Sequence, residues 1–158
     1  MDDRRRPLPD AKFLRKEQPS NVPGMTYVAT IVTLPPNAAT PAHIHNGAAV
    51  YAQVIKGRVL SQMIHQHTVT KPDGTIESQE HDSGVGSYES GEVWYEAPSC
   101  RHVRIENASD TEEAKFYANF IVDTYKLEVT DETNIGDVLT ILDVDPRSPH
   151  YVTAAGTA

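Results

Sequence analysis

The stretch "HIHNGAAVYAQVIKG", His43 to Gly57, places two histidines one residue apart at the entrance to a run of Val, Tyr and Ile. On extended backbone, successive side chains point to opposite faces, so His43 and His45 share one face and Ile44 takes the other. Two imidazole nitrogens can then reach one metal without a bend in the chain. The stretch contains no Asp or Glu, so no carboxylate joins them from within it. An HxH pair alone is a weak signal in a chain with seven histidines, and its meaning depends on what surrounds it.

The chain of 158 residues has the length of one domain, long enough to bury a single core. Its formal net charge of −8 argues against nucleic acid and anionic membranes, which attract clustered Lys and Arg. The one basic run, Arg4 to Arg6, is flanked by Asp2, Asp3 and Pro7 and reads as a solvated tail. No stretch has the apolar run of a signal peptide or a spanning helix. The single cysteine, Cys100, cannot close an internal disulfide, which suits a reducing compartment. The expectation is a cytoplasmic protein.

Eleven prolines and nine glycines punctuate short runs of Val, Ile, Thr and Tyr, the pattern of strands and turns. Strands are expected near Met25–Leu34, Val50–Ile55, Arg58–Ile64, Glu92–Tyr95, His102–Glu106 and Lys115–Val122. Only Asp10–Gln18 suggests a short helix. Short, evenly spaced strands imply a sandwich or a barrel. The expected organisation is an N-terminal arm over 1–24, a barrel over 25–122 with an inserted hairpin at about 65–90, and a C-terminal extension over 123–158.

The segment "GEVWYEAPSCRHVRIEN", Gly91 to Asn107, is a turn, a strand, a proline-containing loop and a histidine opening another strand. Together with the HxH stretch it resembles the cupin superfamily. The first cupin motif has HxH, a Glu five residues after the second His and a Gly seven beyond; here these are His43, His45, Val50 and Gly57. In the second motif, a Gly is followed by Pro, Gly, His and Asn. The corresponding positions are Gly91, Ala97 (with Pro98 beside it), Ser99, His102 and Glu106 (with Asn107 one step late). The resemblance covers Met25 to Val122. It implies an all-β double-stranded β-helix, a jelly-roll barrel in one domain, whose mouth holds a divalent metal on His43, His45 and His102. It also implies a homodimer, paired through edge strands or exchanged N-terminal arms.

Two departures shape the chemistry. Val50 stands where the family has a Glu ligand, leaving three neutral imidazoles, and Ser99 stands where it has Gly. Three imidazoles still hold a divalent transition metal and leave positions open for substrate. Fe(II) is the first choice, with Zn, Mn or Ni as alternatives, because three-histidine cupins that cleave β-diketones or oxidise thiols use iron. Gln53 lies three residues past Val50 and reaches the metal only if a bulge turns it inward. Tyr51 shares its parity and reads as a packed aromatic.

Arg104, two residues past His102, is expected to face the same way. There it would bind a substrate carboxylate or pair at the rim with Glu106 or Glu92. Gln62 would hydrogen-bond substrate or orient a histidine, unless it is simply solvated. Cys100 has ligand-like spacing from His102 but lies in the preceding loop. His65, His67 and His81 are expected on an exposed loop, and His150 in the tail. Trp94, Tyr95, Phe116, Tyr117 and Phe120 read as core.

Three functions fit this pattern. The first is a metal-dependent enzyme acting on a small organic molecule, a three-histidine Fe(II) oxygenase for an anionic or enolizable substrate. The second uses the same ligands for non-redox isomerase, cyclase, lyase or decarboxylase chemistry. The third is a non-catalytic cupin that binds a small molecule.

Overall fold

The computed structural model describes residues 6–128, 131, 134–143 and 145–149. In chain order its strands are β1 (Asp10–Glu17), β2 (Met25–Leu34), β3 (Ala39–Thr40), β4 (His43–Ile44), β5 (Ala49–Lys56) and β6 (Arg58–Thr70). They continue with β7 (Ile76–Asp82), β8 (Gly86–Glu89), β9 (Val93–Glu96), β10 (Arg101–Asn107), β11 (Ala114–Asp123) and β12 (Ile141–Leu142). A 3-10 turn (Thr124–Leu127) and a short helix, α1 (Ile135–Leu139), lie between β11 and β12.

One sheet runs β1-β2-β11-β5-β9; the other runs β12-β4-β10-β6-β7, with β3 also on β10 and β8 also on β6. All pairings are antiparallel. Strict alternation in the central strands builds the core. Val50, Ala52 and Val54 of β5, with Phe116, Ala118, Phe120 and Val122 of β11, face Val59 and Met63 of β6 and Ile105 of β10. Burying each large apolar side chain contributes about 1.5–3 kcal/mol. The result is an all-β double-stranded β-helix. Gly57 makes the tight β5–β6 connection at φ +75°, and a Cβ there would come within 2.9 Å of the Glu113 carbonyl oxygen. No helix among the described residues is long and apolar enough to cross a membrane.

Two local expectations are corrected. Asp10–Gln18 is not helical: Asp10–Glu17 is a strand pairing antiparallel with β2 from Asp10↔Thr33 to Glu17↔Tyr27. Its helix-forming Lys, Arg and Glu residues are overridden by the open edge of β2, which satisfies the backbone of a neighbouring strand. The histidines between the motifs also lie on strands, not on a loop. β6 continues to Thr70 and pairs with β7 from Ile64↔Asp82 to Thr70↔Ile76, so His65 faces His81 across a ladder. His67 and His81 are exposed. His150 falls outside the described residues.

After β11 the chain crosses to the other sheet. α1 packs its buried Ile135 and Leu139 against the core, and β12 pairs with β4, the strand that begins at His43.

Candidate metal centre

His43 opens β4 and lies directly opposite His102 in the β4–β10 ladder. His45 follows two residues later, where the chain leaves the strand through the left-handed residues Asn46 and Gly47. All three point into the barrel, and one potential ligand atom from each lies within 4.8 Å of the others. Among the described residues, this is the one such group of three or more His, Cys, Asp or Glu side chains.

Backbone carbonyls orient two of the rings. His43 Nδ1 lies 2.9 Å from the Pro41 carbonyl oxygen, and His45 Nδ1 lies 2.8 Å from that of Leu139. A carbonyl can only accept, so Nδ1 carries a proton in both rings; in His43 this leaves Nε2 its lone pair, as a metal-ligating tautomer requires, whereas His45 Nε2 faces Glu96. His102 is held differently: Nε2 is 3.0 Å from Ser61 Oγ, while Nδ1 closely approaches Glu96 Oε1.

Glu96 is the residue that the sequence reading passed over. It ends β9, is 3% exposed, and reaches His45 Nε2 at 3.1 Å through Oε2. Trp94 Nε1 donates to its Oε1 at 3.2 Å. The signal was present: with Trp94 taken as core, strand alternation puts Glu96 on the same inner face. Burial alone would keep the carboxyl protonated, yet the charge and hydrogen bond of His102, followed by those of His45, hold its pKa well below the usual range. Burial also opposes a charged His45, but the hydrogen bond and charge of Glu96 hold its pKa above 6.5. His43 is driven the other way, to about 3, first by burial and then by repulsion from His102 and His45.

These groups form one end of a cavity of about 270 Å³. Its walls are otherwise mostly apolar, built chiefly from Val32, Val50, Ile105, Phe116 and Phe120, with Ile135 and Leu139 of α1. No lysine or arginine lines it among the described residues.

The other expected site residues lie elsewhere. A bulge between His102 and Arg104 breaks the β10 alternation, so Ile105 lines the cavity and Arg104 points away. Arg104 pairs with Glu106 at 2.9 Å and donates to the Arg147 carbonyl oxygen at 3.2 Å. Gln62 faces away with it, donating to Asp82 at 2.9 Å, while its neighbour Ser61 turns inward. Gln53 is exposed and donates to the Gly91 carbonyl oxygen; Tyr51 packs against Tyr95 outside the barrel, the two rings tilted. Cys100 is buried but contacts His65, not the cavity, and burial pushes its thiol pKa up to about 11.

No protein-family model matches the chain, and no curated protein does. Among solved structures, the Cnp3 cupin domain of Schizosaccharomyces pombe matches at TM-score 0.52 and 16% identity, over 82% of this chain and 69% of that one. This chain has the cupin fold. A cupin domain from Bordetella pertussis Tohama I matches at TM-score 0.47 and 18% identity, over 75% of this chain and 98% of that one. Recombinant oxalate oxidase in complex with glycolate matches at TM-score 0.43 and 19% identity, over 68% of this chain and 50% of that one. The chain likewise spans half the length of Peruvianin-I, a cysteine peptidase from Thevetia peruviana latex.

The donor set of this chain suits a divalent metal. Three converging imidazoles, that of His43 with its Nε2 lone pair fixed, are a ligand set for transition metals. Glu96 Oε2 and His102 Nδ1 are also buried without a correctly directed hydrogen bond, although each lies at ion-pair distance from a neighbour. Buried polar atoms left in this way are costly unless something else satisfies them. A cation among them would do so.

Proposed function

We propose that this cupin is a metal-dependent enzyme acting on a small, uncharged, largely apolar molecule with an acidic C–H bond, such as an enolizable carbonyl compound. The observation that carries the reading is Glu96, a buried carboxylate held ionised beside three imidazoles at the end of an apolar cavity. His43, His45 and His102 would hold the metal. When bound, a divalent ion would supply Lewis acidity and, as Fe(II), a redox couple.

The chain's own part is proton transfer and exclusion of water. Glu96 Oε2 accepts the proton from the carbon beside the carbonyl; the C–H electron pair becomes the C=C bond and the carbonyl π pair moves to oxygen, giving the enolate. His45, at 3.1 Å, stabilises the carboxylate before transfer. Phe116, Phe120 and Val50 keep water from the enolate, which strengthens every polar interaction at that end of the cavity. Size sets a limit too. A 150 Å³ apolar cavity accommodates benzene, so about 270 Å³ suits a molecule of roughly ten non-hydrogen atoms.

Oxygenase chemistry on the enolate is the first form of this reading. The Glu96–His45 pair favours a second, in which the proton is returned to another carbon and the reaction is an isomerisation. Metal analysis of protein purified without chelator tests the common part: less than stoichiometric transition metal would overturn it. Oxygen uptake with β-dicarbonyl compounds, set against anaerobic exchange of their C–H bonds in D₂O, separates the two forms.

A further inference from the structure

Residues 135–143 reach across the cavity and along the ligand strand, and residues 145–148 follow. Ile135 and Leu139 close the cavity wall. Beyond them β12 pairs with β4 at Ile141↔Ile44 and Leu142↔His43, and the Asp143 N–H donates to the Ala42 carbonyl oxygen at 2.8 Å. The Leu139 carbonyl accepts from His45 Nδ1. This one segment therefore bonds along residues 42–45, covering both histidines of the HxH pair.

Little apolar burial holds the far half of the segment: Ile141 and Leu142 are exposed. A charged cluster holds it instead. Arg101, one residue before His102, donates through Nε to Asp143 at 2.9 Å and through Nη2 to Asp145 at 2.7 Å. Asp145 is 1% exposed and is also gripped by Arg147, which reaches Glu80 on β7 at 2.6 Å.

We propose that residues 135–143 form a strap that gates the cavity and positions His45, and that Arg101, through Asp143 and Asp145, is the residue pinning it closed. Gating needs no metal; the positioning of His45 as a ligand rests on the metal-centre reading above. Strap opening removes the Leu139 carbonyl from His45 Nδ1 at the same moment that it uncovers the cavity. Access and ligand orientation are thereby coupled.

The test uses metal-free, full-length protein and diethyl pyrocarbonate, a small reagent that carbethoxylates unprotonated imidazole, read residue by residue by mass spectrometry. In the wild type, His43, His45 and His102 should react far more slowly than exposed His67 and His81. In Arg101→Gln, the three cavity histidines should react about tenfold faster, the scale expected for losing a charge-assisted hydrogen-bonded pair. Amide exchange across 139–143 should rise, while His67 reactivity and β11 exchange stay unchanged. Faster exchange in the strap with unchanged reactivity at His45 would overturn the gate. Unchanged exchange would overturn the role of Arg101. If Arg101→Gln loosens β11 as well, Asp143→Asn, which removes the more exposed partner, decides by the same readouts. Release of Co(II) to excess chelator reports positioning and should also be faster in Arg101→Gln. Wild-type protein that takes up no Co(II) defeats the metal reading, while the carbethoxylation rates still decide the strap.

Discussion

Glu96 lies directly opposite Val50 across the β5–β9 ladder, and both side chains point into the cavity. The carboxylate absent from the first motif therefore enters from the adjacent strand, one ladder rung away. Opposed residues on one face of an antiparallel pair have Cβ atoms about 4.5–5.5 Å apart, so the two positions serve nearly the same volume. The site is a three-histidine set with a displaced carboxylate, not a neutral one.

The exchange is testable. Val50→Glu alone places two carboxylates across one rung, where like charges cannot both ionise, and should destabilise the protein by about 3 kcal/mol or more. The double variant Val50→Glu with Glu96→Val should recover a large part of that loss and bind Co(II) at least as well as the wild type. Glu96→Gln should keep the fold and lower turnover by about 10²–10⁴-fold. Urea midpoints and Co(II) titration check the first two. A double variant no more stable than Val50→Glu would show that the positions are not interchangeable.

Ser99 holds φ at +68°, the left-handed conformation that a glycine adopts freely. The loop before His102 has thus kept the backbone shape of the motif while losing the residue suited to it. A side chain there costs about 1–2 kcal/mol, part of which glycine returns as unfolded-state entropy. Ser99→Gly should raise stability by about 0.5–1 kcal/mol, and Ser99→Val should lower it. A thermal melt that does not rise for Ser99→Gly counts against this strain.

The motif spacing carried the three histidines and the strand alternation carried the core, because both depend on local periodicity. Features that depend on pairing with distant strands were not legible. The strand at Asp10–Glu17 takes its conformation from β2, and no pattern within it says so. Arg104 left the expected face through a bulge, which counting by twos cannot see. Glu96 was legible in principle, since Trp94 fixed its face, but it lies on a different strand from Val50. The closing strap depends on Arg101 and Asp145, residues 44 positions apart.

Arg104 belongs to an ion-pair group with Glu106, and through Glu106 with Arg6, behind the cavity wall. Arg104→Gln should leave the substrate KM unchanged while lowering stability by about 1 kcal/mol, the scale of a partly exposed pair. A rise in KM confined to anionic substrates would instead place the guanidinium in the binding site.

Cys100 has a thiol pKa of about 11, raised chiefly by burial and further by the Glu96 charge. The thiolate is the reactive form, so at pH 8 only a very small fraction of the thiol can react. Ellman's reagent should titrate no thiol in native protein at pH 8 and one after denaturation. Rapid native labelling would show that the loop opens to solvent.

Metal-free protein should be most stable near pH 6.5. His43 has a folded pKa of about 3 against 6.5 unfolded, so between those values the unfolded chain binds the extra proton. Stability then falls as pH drops below 6.5, by up to about 1.4 kcal/mol per pH unit. Glu96, depressed when folded, adds stability above its unfolded pKa that is lost as pH falls through its folded value. His45 has the opposite sign: its raised pKa contributes stability that is complete below 6.5 and lost as pH rises through the folded value. Urea midpoints of chelator-treated protein from pH 4.5 to 9 should therefore trace an asymmetric dome, steeper on the acid side. His43→Asn should flatten the acid limb and leave the alkaline one. An acid limb of unchanged slope in that variant would assign the loss to other groups.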